Sequence, residues 1–145
     1  MGAAMKAVTY RKPTYRKEVE RILKEYPVLK VAVETEQEAE KAGAGLYPSC
    51  TSSYEERVSG GYSEYQSSTE RYGIRRASKQ LKLRRIDQAL LALDIDERLL
   101  VEERYFDQAN PSDAIVYDCL GWSKRNYYRV KSRAFKKLAF ALNLL

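Results

Sequence analysis

Gly121-Trp122-Ser123-Lys124-Arg125-Asn126-Tyr127-Tyr128-Arg129-Val130-Lys131-Ser132-Arg133-Ala134-Phe135-Lys136-Lys137-Leu138 is the stretch that decides the fold. Seven of its residues are basic, and no acidic residue occurs from Cys119 to the C-terminus. Val130, Ala134, Leu138 and then Ala141 recur at i, i+4, i+8 and i+11, the spacing of a buried helical face. Lys124, Arg125, Arg129, Arg133 and Lys136 fall largely on other faces, mixed with Asn126, Tyr128 and Ser132. Gly121 permits the left-handed backbone of a tight turn, and Ser123 is a natural N-cap. A glycine turn, a serine cap and a basic helix able to bond base edges predict the second helix of a helix-turn-helix.

Upstream, three more helices can be drawn within residues 70–145. The first spans about 71–93, with Leu83, Ile86, Leu90 and Leu93 on one face. Asp94 with Glu97 forms a capping box that opens the second, whose Leu100, Arg104 stem and Tyr105 or Phe106 turn inward. Asn110-Pro111 offers an N-cap and a first-turn proline for the third, with Ile115, Val116, Cys119 and Leu120 as its apolar set. No strand signal of comparable strength appears, so the expected fold class is all-α: a C-terminal four-helix domain plus an N-terminal helix pair.

That pair covers 13–26 and 28–42. Tyr15, Val19, Ile22, Leu23 and Tyr26 keep helical spacing, and Pro27 disfavours a helical backbone at the residue before it. Glu34, Glu36, Glu38 and Glu40 lack metal-ligand geometry and read as a solvated helix face, and Gly43 and Gly45 end the segment. Residues 46–69 hold seven Ser, two Thr, four Tyr and Gly60-Gly61, the composition of a linker. The expected domains are 1–45, 46–69 and 70–145. The N-terminal stripe is a candidate for self-association as a homodimer, or for a protein partner.

Composition excludes most chemistry. The chain has 145 residues and no histidine, which removes His-based zinc sites, catalytic triads and imidazole bases. No Gly-rich phosphate loop and no CxxC spacing occur, so neither enzyme nor cofactor nor metal is expected. Cys50 and Cys119 read as free thiols of a reducing cytoplasm, and no apolar run is long enough to span a membrane. Residues 1–69 carry 10 basic and 10 acidic side chains; residues 70–145 carry 16 and 10, the whole net charge of +6. An anionic partner should therefore meet the C-terminal half.

Three segments carry a resemblance. They are Ile86-Asp87-Gln88-Ala89-Leu90 through Glu103-Arg104-Tyr105-Phe106, then Ser112 through Gly121, then Tyr127-Tyr128-Arg129-Val130-Lys131-Ser132-Arg133-Ala134-Phe135-Lys136-Lys137-Leu138-Ala139. Over residues 82–142 the chain resembles phage-encoded transcriptional regulators of the ArpU and RinA type, whose C-terminal domain is similar to the −35-binding region 4 of bacterial sigma factors. The resemblance implies an activator of late, packaging and lysis genes that binds promoter DNA, with host RNA polymerase as a further partner. A small terminase subunit, which also joins a helix-turn-helix to oligomerising helices, is the alternative.

In a helix-turn-helix the N-terminal part of the second helix meets base edges. Here the base-reading candidates are Lys124, Arg125, Asn126, Tyr128 and Arg129; Arg matches guanine O6 and N7 together, and Asn matches adenine N6 and N7. Ser123, Ser132, Arg133, Lys136 and Lys137 are assigned to phosphates. Trp122 is expected under the turn, in the core.

Overall fold

The computed structural model describes residues 14–43 and 68–145. They form α1 (Thr14–Lys41), α2 (Ser68–Leu91), α3 (Ile95–Val101), α4 (Asp113–Cys119) and α5 (Lys124–Ala141), with one π-helical turn, Glu102–Phe106, prolonging α3. The described residues contain no strand, and the fold class is all-α. None of these helices is long and apolar enough to cross a membrane. The first ten residues, Cys50 and most of the expected linker lie outside the described residues; Ser68 and Thr69 open α2 instead.

The expected N-terminal helix pair is a single helix. Pro27 lies inside α1 and does not end it. A proline removes one N–H and crowds the carbonyl four residues back, a cost of about 3 kcal/mol in a helix interior. Tertiary burial on both sides, at Val19 and Leu23 before it and at Val33 after it, holds the helix through that defect. Local propensity loses to packing here.

The chain divides by its contacts into two compact units, and neither coincides with the domains expected from composition. The first unit joins residues 14–25 of α1 to Gln88–Leu145; the second comprises the described part of Tyr26–Asp87. The expected 70–145 domain is thus split between them.

In the first unit the buried side chains include Val19, Leu23, Leu100, Val101, Tyr105, Val116, Tyr127, Val130, Ala134, Phe135 and Leu138. α3 packs on α5, and α4 packs on α5 and on the π-helical turn. The N-terminal stripe contributes to this core: Val19 and Leu23 are buried and Tyr15 and Ile22 half-buried. The face expected for α5 is buried at Val130, Ala134 and Leu138 but not at Ala141, which is exposed. Tyr127, Phe135 and Ala139 join it. Of the apolar set expected for α4 only Val116 is buried; Ile115 and Cys119 are exposed, and Cys119 is a free thiol. Seven residues make fewer than two full turns, too short a helix to bury a broad stripe.

The α3 capping box forms as expected, with the Asp94 backbone N–H donating to Glu97 Oε2 at 3.0 Å. The cap of α4 does not: Ser112, with extended backbone, is its N-cap. Asn110 has φ +45°, the left-handed region, whereas an N-cap residue is extended.

In the second unit, α1 and α2 run antiparallel. Tyr26 Oη donates to Asp87 at 2.7 Å, Lys79 Nζ to Glu36 at 2.8 Å, and Arg76 pairs with Glu40. Two of the four glutamates expected on a solvated face, Glu36 and Glu40, therefore pair with α2, although Glu40 is itself still exposed. Glu34 and Glu38 remain exposed.

Candidate nucleic-acid interface

The turn between α4 and α5 is built by backbone geometry. Gly121 has φ +67°. Its N–H donates to the Asp118 carbonyl at 3.1 Å, and the Trp122 N–H reaches back to the Tyr117 carbonyl at 2.9 Å. These two bonds satisfy the last carbonyls of α4 in a Schellman ending. Trp122 follows the glycine and is half-buried, not a core residue as expected. Ser123 Oγ then accepts from the Asn126 backbone N–H at 3.2 Å and caps α5.

A Cβ at position 121 would meet no atom within 4 Å, so replacing Gly121 tests the backbone alone. Gly121→Ala is expected to cost about 1–2 kcal/mol, the penalty of left-handed backbone for an L-residue. Urea unfolding measures it. A loss below a few tenths of a kcal/mol would mean that the turn can relax.

α5 presents its cations in two groups with different fates. Arg125, Arg129, Arg133 and Lys136 are exposed and lie within about 80° of one another around an ideal helix. Arg125 and Lys136 have no carboxylate partner among the described residues, and Arg129 bonds only Asn126 Oδ1 at 3.0 Å. Arg133 is more than half exposed, with Nε 3.8 Å from Glu97. Lys124 is exposed at the start of the helix, about 100° around it from Arg125 and away from the stripe.

The other group is spent inside the fold. Lys137 Nζ donates to Glu97 at 2.9 Å and lies 3.0 Å from Asp94, and these partners raise its pKa through their hydrogen bonds. Ser132 Oγ accepts from Arg16 at 2.8 Å. Lys137 and Ser132, both assigned to phosphates from the sequence, are therefore engaged in intramolecular contacts. Tyr128 is turned toward Tyr127, ring centroids 5.3 Å apart and edge to face. It borders a groove of about 430 Å³ with Arg16, Lys17, Glu20, Lys131 and Phe135. It does not share the stripe of Arg125 and Arg129.

One cluster escaped the sequence altogether. Asp113, the first residue of α4, accepts from Tyr127 Oη at 2.7 Å, Arg104 Nε at 2.9 Å and Lys131 Nζ at 3.0 Å. The cluster ties α4, α5 and the π-helical turn together, and so sets how α5 is presented. Desolvation pushes the Asp113 carboxyl up, but the hydrogen bonds from Tyr127, Lys131 and Arg104 and the charge of Lys131 outweigh it and hold the pKa below the usual carboxylate value. Burial, and then the bond to Asp113, push the Tyr127 hydroxyl up. No local pattern marks these partners, which lie 9, 14 and 18 residues from Asp113.

The seven basic residues therefore resolve into an exposed stripe of Arg125, Arg129, Arg133 and Lys136, an exposed Lys124 at the helix start, and a pair, Lys131 and Lys137, that is ion-paired within the fold. Compared with protein-family models, with curated proteins and with solved structures, the chain matches none of them.

Proposed function

We propose that this protein is a sequence-specific regulator of transcription that binds double-stranded DNA, with α4 and α5 as its helix-turn-helix and α5 in the major groove. The observation that carries the proposal is the exposed stripe of Arg125, Arg129, Arg133 and Lys136 on a serine-capped helix that follows a glycine turn. Arg125 and Arg129, nearest the helix start, read base edges; Lys136 and Arg133 hold phosphates. Ser123 and the first backbone N–H groups of α5 suit a further phosphate. The resemblance to phage regulators of the ArpU and RinA type favours an activator of late genes, acting in the bacterial cytoplasm at promoters served by host RNA polymerase.

The test begins by selecting a preferred duplex from a random library with the intact chain. Arg125→Ala or Arg129→Ala is expected to weaken binding to that duplex by about 1–3 kcal/mol, and to random duplex by less, because one lost bidentate contact affects one base pair. Lys136→Ala weakens both duplexes alike. Equal losses on both for Arg125→Ala and Arg129→Ala would remove α5 from base reading, and failure to enrich any duplex would defeat the proposal.

A further inference from the structure

α2 sorts its cations as α5 does, with no help from the turn. Arg76 and Lys79 face α1 and pair with Glu40 and Glu36. Arg71, Arg75, Lys82 and Arg85 are exposed, and with Ser78 they recur at i, i+4, i+7, i+11 and i+14. On an ideal helix these positions fall within an arc of about 80°, over a length of about 21 Å. Between Glu70 and Asp87 the helix has no acidic residue, and Asp87 is already engaged by Tyr26. Arg71, Arg75 and Arg85 have no carboxylate partner among the described residues.

An ordinary solvated helix face mixes its signs, as α1 does where Arg21 pairs with Glu18 and Glu25 and Lys24 with Glu20. On the outer face of α2 Arg71 and Arg75 are like charges at i, i+4, which repel each other in the free helix. Such an arrangement is relieved by a polyanion of regular pitch. A DNA strand advances about 3.4 Å of axis per phosphate, so some six phosphates pass along the stripe. The guanidinium fork suits phosphate oxygens.

We infer that the outer face of α2 is a second, sequence-independent contact for the phosphate backbone of duplex DNA. The inference rests on the duplex-DNA proposal for α5 and adds to it a site in the other compact unit. Carried on one chain, two contacts of different kind bind more tightly than either alone: α5 confers sequence preference, and α2 adds affinity that salt removes. Ile74 and Leu81 lie on the neighbouring edge of α2, outside the stripe; they are exposed and serve as an internal control.

The experiment measures affinity for the selected and the random duplex across a series of salt concentrations, using the intact chain. Its variants are R71A/R75A/K82A/R85A, the charge-keeping R71K/R75K/R85K, R125A/R129A, and I74S/L81S. Alanine is the stronger helix former, so the quadruple variant keeps α2 helical, and circular dichroism verifies it.

The quadruple variant is expected to weaken both duplexes by the same factor, roughly tenfold or more, and to flatten the slope of log K against log salt by about 2.7, three phosphates at about 0.9 each for Arg71, Arg75 and Arg85. The lysine variant and I74S/L81S retain wild-type binding. R125A/R129A loses mainly the selected duplex. An unchanged slope in the quadruple variant, while R125A/R129A loses preference, would overturn this inference and leave the α5 proposal standing. Wild-type binding to no duplex would overturn both. If polyglutamate competes for the stripe as well as random duplex does, or I74S/L81S loses as much as the quadruple variant, the face belongs to an acidic protein and the inference fails.

Discussion

Replacing Asp113 by alanine is expected to destabilise the fold by about 3 kcal/mol, because three donors lose one acceptor at once. Arg104 and Lys131 have only 14% and 16% of their side chains exposed, so neither can rehydrate fully without repacking. Asp113 itself is 24% exposed, which places the cost at the lower end for a broken buried pair. The same carboxyl makes stability depend on pH. Its folded pKa lies below the unfolded value of about 3.9. The contribution is therefore complete above about pH 5 and is lost as pH falls through the folded value, where the carboxyl protonates. Urea unfolding of wild type and Asp113→Asn over acid to neutral pH measures this. The gap between the two is expected to be widest near neutrality and to close below about pH 4. A gap that stays constant into acid would mean that the cluster does not depend on the ionised carboxylate.

Glu97→Ala is the second large effect, expected to cost about 3 kcal/mol. Glu97 has no exposed surface, and its Oε2 accepts both the Asp94 backbone N–H at 3.0 Å and Lys137 Nζ at 2.9 Å. Truncation removes half of a capping box, about 1 kcal/mol, together with buried methylene groups and the ion pair. Lys137 is partly exposed and can return to water, which limits the loss. Glu97→Gln keeps an acceptor for the Asp94 N–H and is expected to cost less.

Lys137→Ala is informative for a different reason. It leaves the buried Glu97 carboxylate with Arg133, 3.8 Å away, as its remaining cation. Thermal unfolding at lower temperature, with an unchanged preference for the selected over the random duplex, is the expected outcome. Wild-type stability combined with equal weakening on both duplexes would return Lys137 to the phosphate contacts.

The distinction between Lys136 and Lys137 shows where sequence reasoning stops. Adjacent residues of one type differ by about 100° around a helix, and periodicity alone placed both outside the apolar face. What separates them is Glu97, 40 residues from Lys137 and brought to it by the packing of α3 on α5. Arg76 and Arg75 differ in the same way, through Glu40 of α1.

The sequence by itself determined the helical class, the glycine turn, the serine cap of α5 and the capping box of α3. These features rest on residues within a few positions of one another, where backbone sterics and side-chain reach act locally. It also located the basic, acid-free C-terminal helix, because composition needs no coordinates. Only the tertiary structure decided that α1 runs through Pro27, that its first half belongs with the C-terminal helices, and that Ser112 caps α4. It alone joined Arg104, Asp113, Tyr127 and Lys131, and paired Arg76, Lys79, Lys131 and Lys137 with carboxylates while leaving Arg125 and Lys136 exposed. A local rule fixes what a residue favours, whereas burial and charge pairing depend on partners tens of positions away; at Pro27 those partners outweighed a local cost of about 3 kcal/mol.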